Sequence, residues 1–164
     1  MSILDTIMHE RQAAVHATRE AVPVESLREL AADRVHHSLK AGLRETIGTH
    51  VIAEMKKASP SAGLLQDEYD PAHIGRRYVE NGAVGISILT EPLHFLGRGD
   101  DVRIVRSVVD LPILRKAFMC DPYQVVDAAA WGADVILLIA AALRDDEMQV
   151  LYEAALELGL EVLV

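Results

Sequence analysis

Two hydrophobic rhythms divide the chain. Over residues 2 to about 20, Ile3, Leu4, Ile7, Met8, Ala14 and Val15 recur near helical spacing, with Asp5, Glu10 and Arg11 between them. That spacing predicts an amphipathic helix. Pro23 interrupts it, residues 24 to 34 predict a second short helix, and residues 38 to 47 a third helical turn. Past residue 50 the pattern becomes a series of short apolar runs: Val51-Ile52-Ala53, residues 83 to 89, Pro112-Ile113-Leu114, residues 135 to 139 and residues 160 to 164. Such runs, apolar on both faces, are the mark of parallel strands covered on both sides. Helices are predicted between them over residues 71 to 81, 101 to 109, 122 to 131 and 144 to 158. Gly82, Gly132 and Gly159 stop three of these. Asp121 is placed to cap one of them, with Pro122 at its first position. Strand starts recur at roughly one β/α unit, about 20 to 30 residues. The expected fold is therefore α/β, with about five parallel strands and four helices over residues 49 to 164. A helical extension over residues 1 to 48 precedes them.

Charge narrows the partners. Sixteen Lys and Arg against 25 Asp and Glu leave a formal net charge of −9. Nucleic acids and anionic membranes need a basic footprint that this balance lacks, so neither is expected as a partner. The opening residues show neither a signal peptide nor a membrane span. The single cysteine, Cys120, precludes an intrachain disulfide and suits a reducing cytoplasm. An anionic small-molecule substrate remains compatible if a few cations gather in one cleft.

Ligands of parallel β/α proteins bind at the carboxyl ends of the strands. There the first strand carries Glu54, Lys56 and Lys57, followed by Ser59-Pro60-Ser61. The second carries Thr90, Glu91 and Pro92, then Phe95, Gly97 and Gly99; the third carries Arg115, Lys116 and Phe118. The fourth ends in Ala140, Ala141 and Ala142, which leave room. Strand alternation puts Glu54 and Lys56 on one face, and Lys116 on the face of Leu114 and Phe118. One strand-end lysine is ordinarily a solvated surface residue. Two strands that each place a lysine just past an apolar run, one with a carboxylate beside it, indicate a site. A glutamate beside a lysine can orient it or exchange protons, and a Ser-Pro-Ser turn offers hydroxyl and N–H groups to a phosphate. The chemistry expected is that of a phosphorylated, carboxylated or carbonyl substrate. The histidines (His9, His16, His36, His37, His50, His73 and His94) lack metal-ligand spacing, so no metal site is expected. Cys120 reads as a packed thiol, Trp131 as a packing residue, and Gly97-Arg98-Gly99 as too short for a dinucleotide loop.

Four stretches carry a resemblance: IAEMKKASPSAG from residue 52, ISILTEPLHFLGRGDDV from 86, LPILRKAFMCDPYQ from 111 and GADVILLIAAAL from 132. In this order and spacing they resemble the indole-3-glycerol-phosphate synthase family, and the resemblance covers essentially the whole chain. It implies a (β/α)8 TIM barrel with an N-terminal helical extension. It also implies closure of 1-(o-carboxyphenylamino)-1-deoxyribulose 5-phosphate to indole-3-glycerol phosphate, with loss of CO2 and water, in tryptophan biosynthesis. No metal or organic cofactor is implied. Carried over by motif, Lys116 is the general acid, Glu54 and Lys56 are its catalytic companions, Ser59 lies near the substrate phosphate, and Phe95 and Phe118 line the substrate ring. Ala117 stands where the family has Asp, and Ala62 where it has Lys. A barrel of this class needs about 250 residues and eight strands. The chain is accordingly expected to be the N-terminal, five-strand part of such an enzyme, ending one residue before the family's fifth-strand glutamate. By itself it is expected to be inactive and to self-associate through its open edges. Two alternatives stand beside this: a catalytically incomplete assembly partner, and another phosphate-binding barrel lyase with a Schiff base at Lys116.

Overall fold

The computed structural model of the protein describes residues 2–45 and 48–164. Three helices come first: α1 (Ile3–Ala21), α2 (Val24–Ala32) and α3 (Leu39–Glu45). Strand β1 (Ile52–Met55) follows, then a small antiparallel ribbon of β2 (Ala58–Ser59) and β3 (Gly63–Leu64). The chain continues through α4 (Pro71–Glu80), β4 (Gly85–Leu89), α5 (Asp100–Arg106), β5 (Ile113–Lys116), α6 (Pro122–Ala130) and β6 (Val135–Leu137). A 3-10 turn (Ala140–Ala142), α7 (Asp145–Glu157) and β7 (Glu161–Leu163) complete it. The five longer strands form one sheet in the order β1-β4-β5-β6-β7, and every neighbouring pair is parallel. Strand, helix and adjacent parallel strand repeat four times, which is the β/α rhythm read from the sequence.

Several bounds differ from expectation. Strands β1 and β5 run past their apolar cores to include Glu54 and Lys116, because the ladder pairs Glu54 with Ser87 and Lys116 with Leu89. The run expected over residues 135 to 139 is a strand only to Leu137, beyond which the three alanines turn as a 3-10 helix. Helix α5 starts at Asp100 and ends at Arg106 rather than spanning residues 101 to 109. Helix α2 stops at Ala32, two residues before Arg34, whose guanidinium instead donates to the carbonyls of Leu158 at 2.6 Å and Ala133 at 3.3 Å. The ribbon β2–β3 was not expected, since two-residue strands leave no periodicity to read. Residues 46 and 47 of the expected third turn lie outside the described residues.

Alternation along the strands separates two apolar layers. Met55, Ile86, Ile88, Ile113 and Ile136 pack outward against Val102 and Val105 of α5, Val125 and Ala128 of α6, and Leu151 and Ala155 of α7. On the other face Leu114 and Val135, with Ile52 and Leu137 beside them, pack against Leu39 of α3, which closes the lower end of the curved sheet. Helices α1 and α2 lie on the outer layer, where Val15 and Leu27 pack on Tyr123 and Val126 of α6.

One buried carboxylate joins the preceding helical segment to the sheet. Asp134, just before β6, is fully buried. It accepts hydrogen bonds from the backbone of His37 at 2.8 Å and Ile113 at 2.9 Å, and it pairs with the guanidinium of Arg106. Arg34 lies at 3.8 Å and the ring of His36 at 3.6 Å. Four cationic or ring-bearing side chains converging on one residue between helix α6 and strand β6 leave no hydrophobic period in the sequence.

Candidate functional site

Strands β1 and β5 end beside each other's charges although β4 lies between them in the sheet. The Lys116 ammonium donates to one oxygen of Glu54 at 2.7 Å, and Lys56 lies 3.1 Å from the other. One carboxylate thus bridges two lysines from two strands. The three side chains are about a third exposed (Glu54 32%, Lys56 35%, Lys116 29%), so the cluster is open to a ligand without being fully solvated. The hydroxyl of Tyr78, on α4, donates to the Glu54 carbonyl at 2.8 Å and fixes the end of β1. Partial burial works against ionisation of Glu54, but the hydrogen bonds from Lys116 and then Lys56 outweigh it and hold the carboxyl below its ordinary 4.5. Ionised Glu54 therefore contributes stability at pH above 4.5, and that contribution is lost as pH falls through the lower folded value. At neutral pH Glu54 is a carboxylate, suited to orienting lysines rather than to giving up a proton.

An aromatic pair accompanies the charges. The rings of Phe95 and Phe118 lie 5.6 Å apart at a 35° tilt, a favourable offset arrangement. Phe118 follows the end of β5, and its φ is 53°, so strand alternation does not extend to it. Its place is set by the turn and by contact with Phe95. Phe95 in turn is held by Glu91, only 1% exposed, whose carboxylate accepts from the backbone N–H groups of Leu93 at 2.9 Å, His94 at 2.7 Å and Phe95 at 3.1 Å. The turn closes at Gly97, where an added Cβ would lie 2.0 Å from the Leu89 carbonyl oxygen. Gly97→Ala is expected to force this loop off the end of β4 and displace Phe95. Weaker substrate binding and a lower unfolding midpoint together would show it; unchanged values for both would show that the loop yields freely.

Of the residues selected from sequence, Glu54, Lys56 and Lys116 form one cluster, and Phe95 meets Phe118. Ser59 lies on the ribbon, where its hydroxyl accepts from the Ala62 N–H at 3.2 Å. The neighbouring Ala58 N–H donates to the Phe95 carbonyl at 3.1 Å, so the ribbon and the Phe95 loop are tied together. Ala117 is 1% exposed and packs in the outer core, while Lys116 is held by Glu54. Burial raises the Cys120 thiol to about 11, and its sulfur lies 3.2 Å from the Gln124 side-chain oxygen, the packed thiol that was expected. Tyr78 and the anchoring role of Glu91 were not anticipated. A Thr-Glu-Pro exit from a strand marks Glu91 only as a strand-end residue, and the long-range partner of Tyr78 leaves no local signal. Among the described residues no group of His, Cys, Asp and Glu could hold a metal ion, and no helix is long and apolar enough to cross a membrane.

A family profile described as indole-3-glycerol phosphate synthase matches residues 4–164. Relatives named indole-3-glycerol phosphate synthase include one from Salinibacter ruber, 46% identical over 100% of this chain and 62% of its own length. Another from Rhodopirellula baltica is 42% identical over 100% of this chain and 64% of its own. One from Carboxydothermus hydrogenoformans is 39% identical over 98% of this chain and 64% of its own. The chain thus spans less than two thirds of the length of these relatives. The parallel β/α units and the preceding helices are those of a partial TIM barrel, and the chain belongs to the indole-3-glycerol phosphate synthase family.

Proposed function

We propose that the protein containing this chain closes 1-(o-carboxyphenylamino)-1-deoxyribulose 5-phosphate to indole-3-glycerol phosphate, and that this chain supplies its proton donor and part of its binding site. The observation that carries the reading is the bridging of Lys56 and Lys116 by Glu54 at the strand ends. In a chain of net charge −9, two lysines held together are a local centre for a substrate bearing a carboxylate and a phosphate. Lys116 protonates the ketone oxygen as the aromatic carbon that bears the carboxylate attacks the carbonyl carbon. The new carbon–carbon bond forms as the carbonyl π pair moves to oxygen. The carboxylate then leaves as CO2, and its bonding pair restores the aromatic ring. Loss of the hydroxyl as water needs a proton on that oxygen and a base for the neighbouring C–H. Glu54 orients both lysines, Lys56 holds an anionic group, Ser59 and its turn receive phosphate, and Phe95 with Phe118 covers the aromatic ring.

The direct test joins Val164 to the remaining segment of a relative and follows appearance of the indole chromophore. Turnover above background supports the reading; a folded chimaera without turnover overturns it. The 164-residue polypeptide by itself is expected to show no turnover. It is also expected to self-associate, because β1 and β7 each have one neighbour in the sheet and Leu163 and Val164 are 42% and 69% exposed. Light scattering checks the second expectation, and a concentration-independent monomer mass would contradict it.

A further inference from the structure

Behind the lysine cluster, on the outer face of β5, lies a second concentration of positive charge. Arg115 follows Leu114 and precedes Lys116, so it points away from the site and is 4% exposed. It lines a cavity of about 300 Å³ between α1 and the outer layer, together with Arg11, Arg98 and Trp131. The charged residues of its lining are three arginines and one aspartate, Asp127.

The carboxylates nearby are already engaged. Asp127 accepts from Arg115 at 2.7 Å and from the Trp131 indole at 2.6 Å. Asp101 accepts from the Arg98 backbone at 2.9 Å and from its guanidinium at 3.1 Å. Glu91 is occupied by three backbone N–H groups. Arg11 is different. Its Nε is buried without a hydrogen-bond partner among the described residues. Burial first, and the charge of Arg115 next, pull its guanidinium below the usual value, with Cys120, Glu91 and Asp127 opposing. A buried N–H donor left without a partner is costly, and a cavity of this size holds several water-sized groups. Arginine's fixed fork matches the oxygens of a carboxylate or a phosphate.

We propose that this cavity is a binding site for a small oxyanion, a carboxylate or phosphate group, held chiefly by Arg11 with Arg115 and Arg98 beside it. The site is separate from the lysine cluster and does not rest on the reaction proposed above. It is nonetheless one residue from Lys116 along β5, and the Thr90 hydroxyl that accepts from Arg115 at 3.1 Å lies 3.5 Å from the Lys116 carbonyl.

Trp131 is the chain's only tryptophan and lines the cavity, so its fluorescence reports occupancy. Inorganic phosphate and acetate are titrated separately against the 164-residue chain, with ionic strength held constant by sodium chloride. A saturable change in Trp131 emission is expected, and the anion that saturates at lower concentration identifies the preferred chemistry. Arg11→Gln should weaken binding at least tenfold, and Arg11→Lys should retain part of it. No saturable change with either anion, or an Arg11→Gln titration equal to that of the unaltered chain, overturns the proposal. If Arg11→Gln does not fold, iodide quenching of Trp131 in the unaltered chain decides. Bound phosphate or acetate should protect Trp131 from iodide, and equal quenching with and without them overturns the site.

Discussion

Lys116→Ala, in a chain completed by a relative's remaining segment, is expected to lower kcat by about 10²- to 10⁴-fold, the range for loss of a general acid. KM should change far less, because the lost interaction belongs mainly to the transition state. The geometry sharpens this expectation. Lys116 is fixed by Glu54 at 2.7 Å rather than by solvent, so its ammonium is held at the strand end before substrate arrives. Lys56→Ala removes the other partner of the same carboxylate. If Lys56 mainly holds an anionic group of the substrate, KM rises and kcat falls less than for Lys116→Ala. Glu54→Gln frees both lysines at once and should combine the two effects. Steady-state kinetics of the three variants distinguish these roles. Near-normal kcat/KM in Lys116→Ala would remove the assignment of Lys116 as proton donor while leaving family membership untouched.

Asp134→Ala is expected to destabilise a completed chain by about 3–5 kcal/mol, the usual result of removing one partner from a buried ion pair. Asp134 is fully buried, and its loss strands the Arg106 guanidinium, the nearby Arg34, and the backbone N–H groups of His37 and Ile113. The loss would be a large fraction of typical domain stability, about 5–15 kcal/mol. Asp134→Asn keeps an acceptor for the backbone donors and should cost less than the alanine variant. A fall in denaturant midpoint at unchanged m-value reads the effect. Equal midpoints for the unaltered chain and Asp134→Ala would show that the Arg34, His36 and His37 segment is held by other contacts.

Some of this organisation is legible in the residues alone. Alternating apolar runs and glycine-stopped helices determine the parallel β/α order, because each strand must be buried on both faces and each helix on one. Local chemistry determines the cap at Asp121, whose carboxylate accepts from the Tyr123 N–H at 2.7 Å. The candidate lysines are also visible, since a charge just beyond an apolar run falls at a strand end. Tertiary structure decides the rest. That Glu54 joins Lys56 to Lys116 depends on two strands 62 positions apart curving toward each other across β4. That Phe118 faces Phe95 depends on a left-handed turn and on Glu91 gathering three backbone N–H groups. Asp134 and Arg11 are the clearest cases: one carboxylate is satisfied by partners from three segments, and one half-buried arginine keeps its buried Nε unsatisfied. Hydrophobic periodicity is a property of neighbours along the chain and survives in the sequence. Charge pairing and desolvation are properties of neighbours in space, and they exist only once the helices have closed onto the sheet.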